Sequence, residues 1–198
     1  SLDLPSAASA KTPTTTNAAA AAAGYLARQL AANDNHLVDL YQGKKYADDG
    51  ETADAVLSLD AAGVAQDAAA KATKWLEADA TSYEGKAPNV YPGSAAKLLL
   101  VAVAQHVNPK NFGGINLVKV IGNDEGAGGV AAGEYQNPGD LMYGTNVLDQ
   151  ALAVLALAAA PGASPSAAAV SFLAGQQCND GAFQVAIRAD TTTDCVAA

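Results

Sequence analysis

Apolar positions along this chain recur at helical spacing, in segments that alternate between half-apolar and strongly apolar. The first unit spans about residues 17–65. Its opening helix carries Tyr25, Leu26 and Leu30 on one stripe, and a polar loop follows with Tyr41, Tyr46 and Asp48-Asp49-Gly50. Thr52 is then placed to cap a helix over 53–62 that stops at Gly63. The second unit repeats the plan. A helix over 68–78 presents Ala72, Trp75, Leu76 and Asp79, a loop holds Tyr83, Pro88 and Tyr91-Pro92-Gly93, and Ser94 opens a helix over 95–106 that Pro109 ends. The third begins after Phe112-Gly113-Gly114 with Ile115, Leu117, Val118 and Ile121. It crosses a glycine-rich loop over 122–133 to Tyr135 and Tyr143 and enters an apolar helix over 147–160 opened by Thr145 or Asn146. A last helix starts near Ser164, with Pro165 in its first turn, and runs through Phe172 and Leu173.

The pairs Tyr25-Leu26, Trp75-Leu76, Val120-Ile121 and Phe172-Leu173 stand 45 to 52 residues apart, and a tyrosine (Tyr46, Tyr91, Tyr143) precedes each second helix. A period of this length built from helix pairs predicts stacked antiparallel helical hairpins in two layers. The more apolar second helices should form the inner layer. The fold class expected is therefore all-α. The last helix leads into Gln176-Gln177-Cys178-Asn179-Asp180-Gly181-Ala182-Phe183, which reads as a sharp turn. Asn and Asp bond their own backbone there, Gly181 takes a left-handed conformation, and Phe183 is expected to pin the outgoing chain to a core.

Composition sharpens this picture. Half of the 198 residues are apolar, and nearly half of those are alanine, the strongest helix former. The net charge of -9 argues against nucleic acid and against binding anionic lipid by charge. The longest apolar run, 151–160, is about half the length of a membrane span. Residues 1–17 read as an exposed lead-in from which a signal has been removed, leaving a repeat domain over 18–198. Cys178 and Cys195 stand seventeen apart. In an exported protein a disulfide between them would staple the loop after the last helix; in the cytosol they would be two buried thiols. Zinc is the weaker alternative, because His36 and His106 lie far away in sequence.

The helical repeats, together with Gln177, Asp180, Gly181 and Phe183 and the following Asp190-Thr-Thr-Thr-Asp194-Cys, resemble the squalene cyclase and prenyltransferase repeat superfamily, and within it secreted bacterial members. The stretch 177–183 is similar to the Gln-x-x-Asp-Gly-x-Trp repeat of that group, with Phe183 where Trp is usual. The resemblance implies an α/α toroid, of which this chain would supply about half a ring, completed by the remainder of the same protein or by another chain.

The chemistry of that group is not carried over. Its Asp-x-Asp-Asp acid is absent, and Asp48-Asp49 and Asp190 with Asp194 read as loop and cap carboxylates. A prenyltransferase-type zinc set is incomplete at Asp194 and Cys195, and neither His36 nor His106 is read as catalytic. Asn123-Asp124-Glu125-Gly126 lacks the residues of a phosphate loop or an EF-hand. No cofactor is expected. Tyr46, Tyr91 and Tyr143 are candidate rim residues. The function expected is a non-catalytic secreted or cell-envelope module that binds a protein or an apolar small molecule. The alternatives are a terpenoid cyclase or prenyltransferase whose catalytic residues lie in further sequence, and a structural subunit of an envelope assembly.

Overall fold

A computed structural model describes residues 17–86, 89–126, 131–136, 146–188, 191 and 194–195. Residues 1–16 of the expected lead-in, Pro88, Tyr143, Thr145, Asp190, Thr193 and 196–198 lie outside the described residues.

Helix α1 (Ala18–Ala32) is started by Asn17, whose side chain accepts from the backbone N–H groups of Ala19 and Ala20 at 3.0 and 3.2 Å. It ends at Asn33, and Asp34 and Asn35 turn the chain with positive φ angles of 53° and 69°. Residues 37–48 do not form the polar loop expected of them. Strands β1 (Leu37–Tyr41) and β2 (Lys44–Asp48) pair antiparallel, from Leu37 opposite Asp48 to Tyr41 opposite Lys44. The two residues between them, Gln42 and Gly43, both have positive φ, at 50° and 75°, as a two-residue turn matched to strand twist requires.

Helix α2 (Asp49–Ala62) follows without a break. Its cap is Asp48, whose carboxylate accepts from the N–H of Glu51 at 2.7 Å; Thr52 lies a turn inside. Thr52 is buried, and its hydroxyl accepts from the N–H of Leu37 at 2.9 Å while donating to the carbonyl of Asp48. A residue that reads as a cap thus fastens the hairpin to the helix. Gly63 ends α2 in the left-handed conformation predicted for it.

Helix α3 (Gln66–Glu84) runs past its predicted end to Glu84 and passes into a second small hairpin, β3 (Gly85–Lys86) with β4 (Asn89–Val90). Gly85, at φ 86°, allows that turn, since a Cβ there would overlap the carbonyl of Asn89. Helix α4 (Pro92–Ala104) begins at Pro92, which has no N–H to leave unpaired, so the cap position falls on Tyr91, three residues before the predicted Ser94. Helix α5 (Leu117–Asp124) is capped by Asn116. Helix α6 (Val147–Ala159) has a reciprocal cap between Asn146 and Asp149, and α7 (Ala167–Gly175) is capped by Ser166, with Pro165 outside the helix.

Helix α4 is central, packing on α6, α2, α5 and α3; α2 also packs on α3 and α1, and α7 packs on α6. Leu59, Leu76, Leu98, Leu99, Phe112, Leu117 and Ile121 are fully buried between them. Each such side chain contributes about 1.5–3 kcal/mol of burial. The α4–α6 crossing depends on a missing side chain, since a Cβ on Gly93 would overlap the carboxylate of Asp149.

The two hairpins overturn the all-α expectation, and the half-ring α/α toroid falls with it. The fold is mixed, mostly helical with two antiparallel two-stranded sheets. The reason is local. The segment 37–48 places Val38, Tyr41 and Tyr46 about a turn that needs positive φ, and Thr52 and Asn33 give the pair side-chain partners outside itself, Thr52 through the N–H of Leu37 and Asn33 through Lys45.

Candidate binding groove

Helix α6 is apolar nearly all round, and its two sides meet different fates. Gln150, Ala153, Ala156 and Leu157 are buried, and so is Val147 at the edge of the open side. Val147, Leu148, Ala151, Val154 and Leu155, spaced i, i+1, i+4, i+7 and i+8, line an open groove of about 410 Å³. The far wall consists of Leu173 from α7 together with Phe183, Gln184 and Val185. Leu148 is 64% exposed, Leu155 59%, Phe183 47% and Val185 77%. Helix α7 leaves this side uncovered because its nine residues span about 14 Å, whereas the thirteen of α6 span about 20 Å.

The far wall is held by backbone and covalent ties. Gln177 and Phe183 form an antiparallel bridge, closed by Cys178 N–H to the carbonyl of Ala182 at 2.8 Å and Gly181 N–H to that of Cys178 at 2.9 Å, with Gly181 at φ 89°. A second bridge joins Asn146 to Ala186, and the N–H of Val147 donates to Val185 at 2.9 Å, docking the wall on the first turn of α6. Gln176 is buried. Its side-chain oxygen accepts from the N–H of Arg188 at 2.6 Å and its amide donates to the Arg188 carbonyl at 3.4 Å, so one side chain imitates a strand partner. A disulfide joins Cys178 to Cys195, with Cα atoms 5.3 Å apart. Asp194 accepts from the N–H groups of Asn179 and Cys195, which hold its carboxyl below the usual carboxylate range.

The residues singled out from sequence are distributed over the molecule. Gln177 is exposed and donates to the Gly181 carbonyl at 2.8 Å, and Asp180 accepts from the Ala182 N–H at 2.9 Å, so both shape the turn. Phe183 does not pin the chain to a core but forms part of the groove wall. Tyr46 projects from β2 and Tyr91 precedes α4; both are exposed, while Tyr143 lies outside the described residues. His36 stacks on Trp75 with ring centroids 4.5 Å apart, and His106 is an exposed helix-end residue with φ 55°.

Ionisable groups collect elsewhere. Burial, and secondarily the neighbouring charge of Asp79, push Asp49 up to about 6. Tyr83 is raised by burial, against the opposing influence of Lys97, which pairs with Asp54 at 2.9 Å. Asp39, Asp48 and Glu51 bring carboxylate oxygens within 4.8 Å of one another at the first hairpin, where Asp48 is already engaged as a helix cap. Cys178, Asp194 and Cys195 are equally close, but the disulfide leaves no thiolate for a metal.

Sequence reasoning missed Leu148, Leu155 and Val185 as site residues, and Gln176 as the buried glutamine of the final motif. A helix apolar on all sides reads as buried, so the pattern of α6 held no sign of exposure. Gln176 and Gln177 are adjacent and chemically identical, and only the path of 184–188 distinguishes them. No helix among the described residues is long and apolar enough to cross a membrane. No family model matches the chain, and neither a characterised protein nor a solved structure matches it.

Proposed function

We propose that this chain is a non-catalytic, extracytoplasmic binding module whose groove receives the apolar face of a helix from a partner protein. The observation that carries this reading is the groove itself. Four large apolar side chains, all at least 47% exposed, surround a hollow lined by no ionisable group. Contiguous apolar surface of this kind is uncommon on soluble chains and marks interaction sites. A helix is the fitting occupant because the α6 side of the groove is a ridge at helical spacing, longer than the α7 beside it; a further helix could pack along it as helices pack elsewhere in the fold. The uncharged lining selects a partner face without charges. The disulfide supports a place outside the cytoplasm.

The test is a fluorescence-anisotropy titration with a labelled model helix that has leucines on one face and glutamines on the other. Saturable binding is expected, weakened at least tenfold in Leu148→Ser/Leu155→Ser while the circular dichroism spectrum is unchanged. Binding that ignores the double substitution, or no binding, refutes the reading. Saturable uptake of N-phenyl-1-naphthylamine without helix binding would instead assign the groove to a small apolar ligand.

A further inference from the structure

The groove side of α6 presents the same pattern read from either end. Leu148 and Leu155 are exposed to similar degrees and stand about 11 Å apart along the axis, two turns of helix, with Ala151 near their midpoint on the same side. Reversing the helix exchanges the two leucines and leaves the alanine in place. The one charged residue of α6, Asp149, is turned away from this side: its carboxylate lies against Gly93 of α4, where a Cβ would overlap it. What α6 offers to the groove is therefore leucine, alanine, leucine and no charge.

That symmetry bears on how identical chains associate. In a two-fold dimer one patch serves both subunits, so residue i meets j and j meets i, and the patch must fit its own reverse. Two copies of α6 set antiparallel meet this condition. Leu148 of each lies against Leu155 of the other, and the two Ala151 side chains face one another at the axis, where their small size lets the helices approach closely. The antiparallel setting also places the positive end of each helix dipole beside the negative end of the other. Phe183 and Val185, which stand across the groove from their own α6, would flank the α6 that arrives. Charge restricts the choice of face. Each chain carries a net charge of -9, so copies repel one another, and a face lined by no ionisable group is one on which they meet without setting like charges together.

Resting on the reading of the groove as a receptor for a helix, we propose that this helix is α6 of a second copy of the chain, antiparallel about a two-fold axis at Ala151. The interface is small, so association is expected at micromolar concentrations or weaker.

The experiment is sedimentation velocity of the whole chain from about 5 to 500 µM, beside the anisotropy titration with the model helix. The mass should move from one chain towards two as concentration rises, and stay at one in Leu148→Ser/Leu155→Ser. Position 151 meets itself across the axis, so Ala151→Glu and Ala151→Lys should each be monomeric alone, and their mixture should form a dimer with one chain of each, read by native mass spectrometry. A gain of association on mixing cannot come from misfolding of either variant. A chain that stays monomeric throughout while the model helix still binds overturns the second copy as occupant and leaves the groove a receptor for another protein's helix; loss of both defeats the two readings together. A dimer that survives the leucine substitutions, or charge variants that remain monomeric when mixed, also overturns the proposal.

Discussion

Gln150 makes the side-chain bonds that hold Gly133 and Tyr135 onto α6. It is fully buried on α6. Its side-chain oxygen accepts from Tyr135 N–H at 2.9 Å, and its amide donates to the Gly133 carbonyl at 2.9 Å and to that of Ala169 at 3.5 Å. Gly133 is buried with φ 87°, in a position where a Cβ would overlap the backbone of Ala168, so this stretch cannot move aside to find other partners. Gln150→Met preserves length and removes every bond. It orphans the N–H of Tyr135 and the carbonyl of Gly133, each at about 1–3 kcal/mol, against which the thioether recovers on the order of 1 kcal/mol of apolar burial. The expected net loss is about 1–5 kcal/mol, or a fall in Tm of roughly 2–20 °C for a domain of this size. Urea unfolding followed by circular dichroism measures the loss, and amide exchange locates it: the Tyr135 N–H should be protected in the native chain and exchange much faster in the variant. A loss below about 0.5 kcal/mol with Tyr135 equally protected would refute the idea that Gln150 alone satisfies the Tyr135 N–H and the Gly133 carbonyl.

Three further outcomes follow from other contacts. Reducing the Cys178–Cys195 disulfide, or Cys178→Ser/Cys195→Ser, should cost about 3 kcal/mol by loop-closure entropy and weaken model-helix binding, checked by unfolding and anisotropy in parallel; unchanged binding would show that the wall stands without it. Gly93→Ala drives a methyl group into the carboxylate of Asp149 at the α4–α6 crossing and should destabilise by about 1–3 kcal/mol in urea, whereas Gly122→Ala, with open space around its Cβ, should not. Asp49 has its folded pKa raised from 3.8 to about 6, so its neutral form is the one the fold favours. Its contribution is fully present below pH 3.8 and is lost as pH rises through about 6; stability measured across that window should fall with pH, less steeply in Asp49→Asn, and equal slopes would refute the assignment.

Much of the local structure was legible before the coordinates. Gly63, Asn146 and the path of α6 follow from cap chemistry and from spacing that each segment carries within itself. Thr52 and Ser94 misled because a hydroxyl before an apolar run is a good cap wherever no better one precedes it; Asp48 and Pro92 each come a few residues earlier. The strands of 37–48 were missed because repeated helix pairs made the intervening stretch look like a linker, although Gln42-Gly43 between apolar and aromatic residues is a hairpin signal. At the groove, the turn of 177–183 could be read from its Asn, Asp and Gly, but Phe183 could not be assigned to core or surface, because its environment is supplied by α6.

By itself, then, the order of residues determined which segments are helical over most of the chain and which two cysteines could meet. Those properties depend on neighbours a few residues apart and on sums over the whole composition. Tertiary structure alone decided that one side of α6 stays in water and that Gln176 rather than Gln177 is buried. Burial is a property of what comes to lie alongside, and a helix apolar on every side contains nothing that says which side its neighbours will cover.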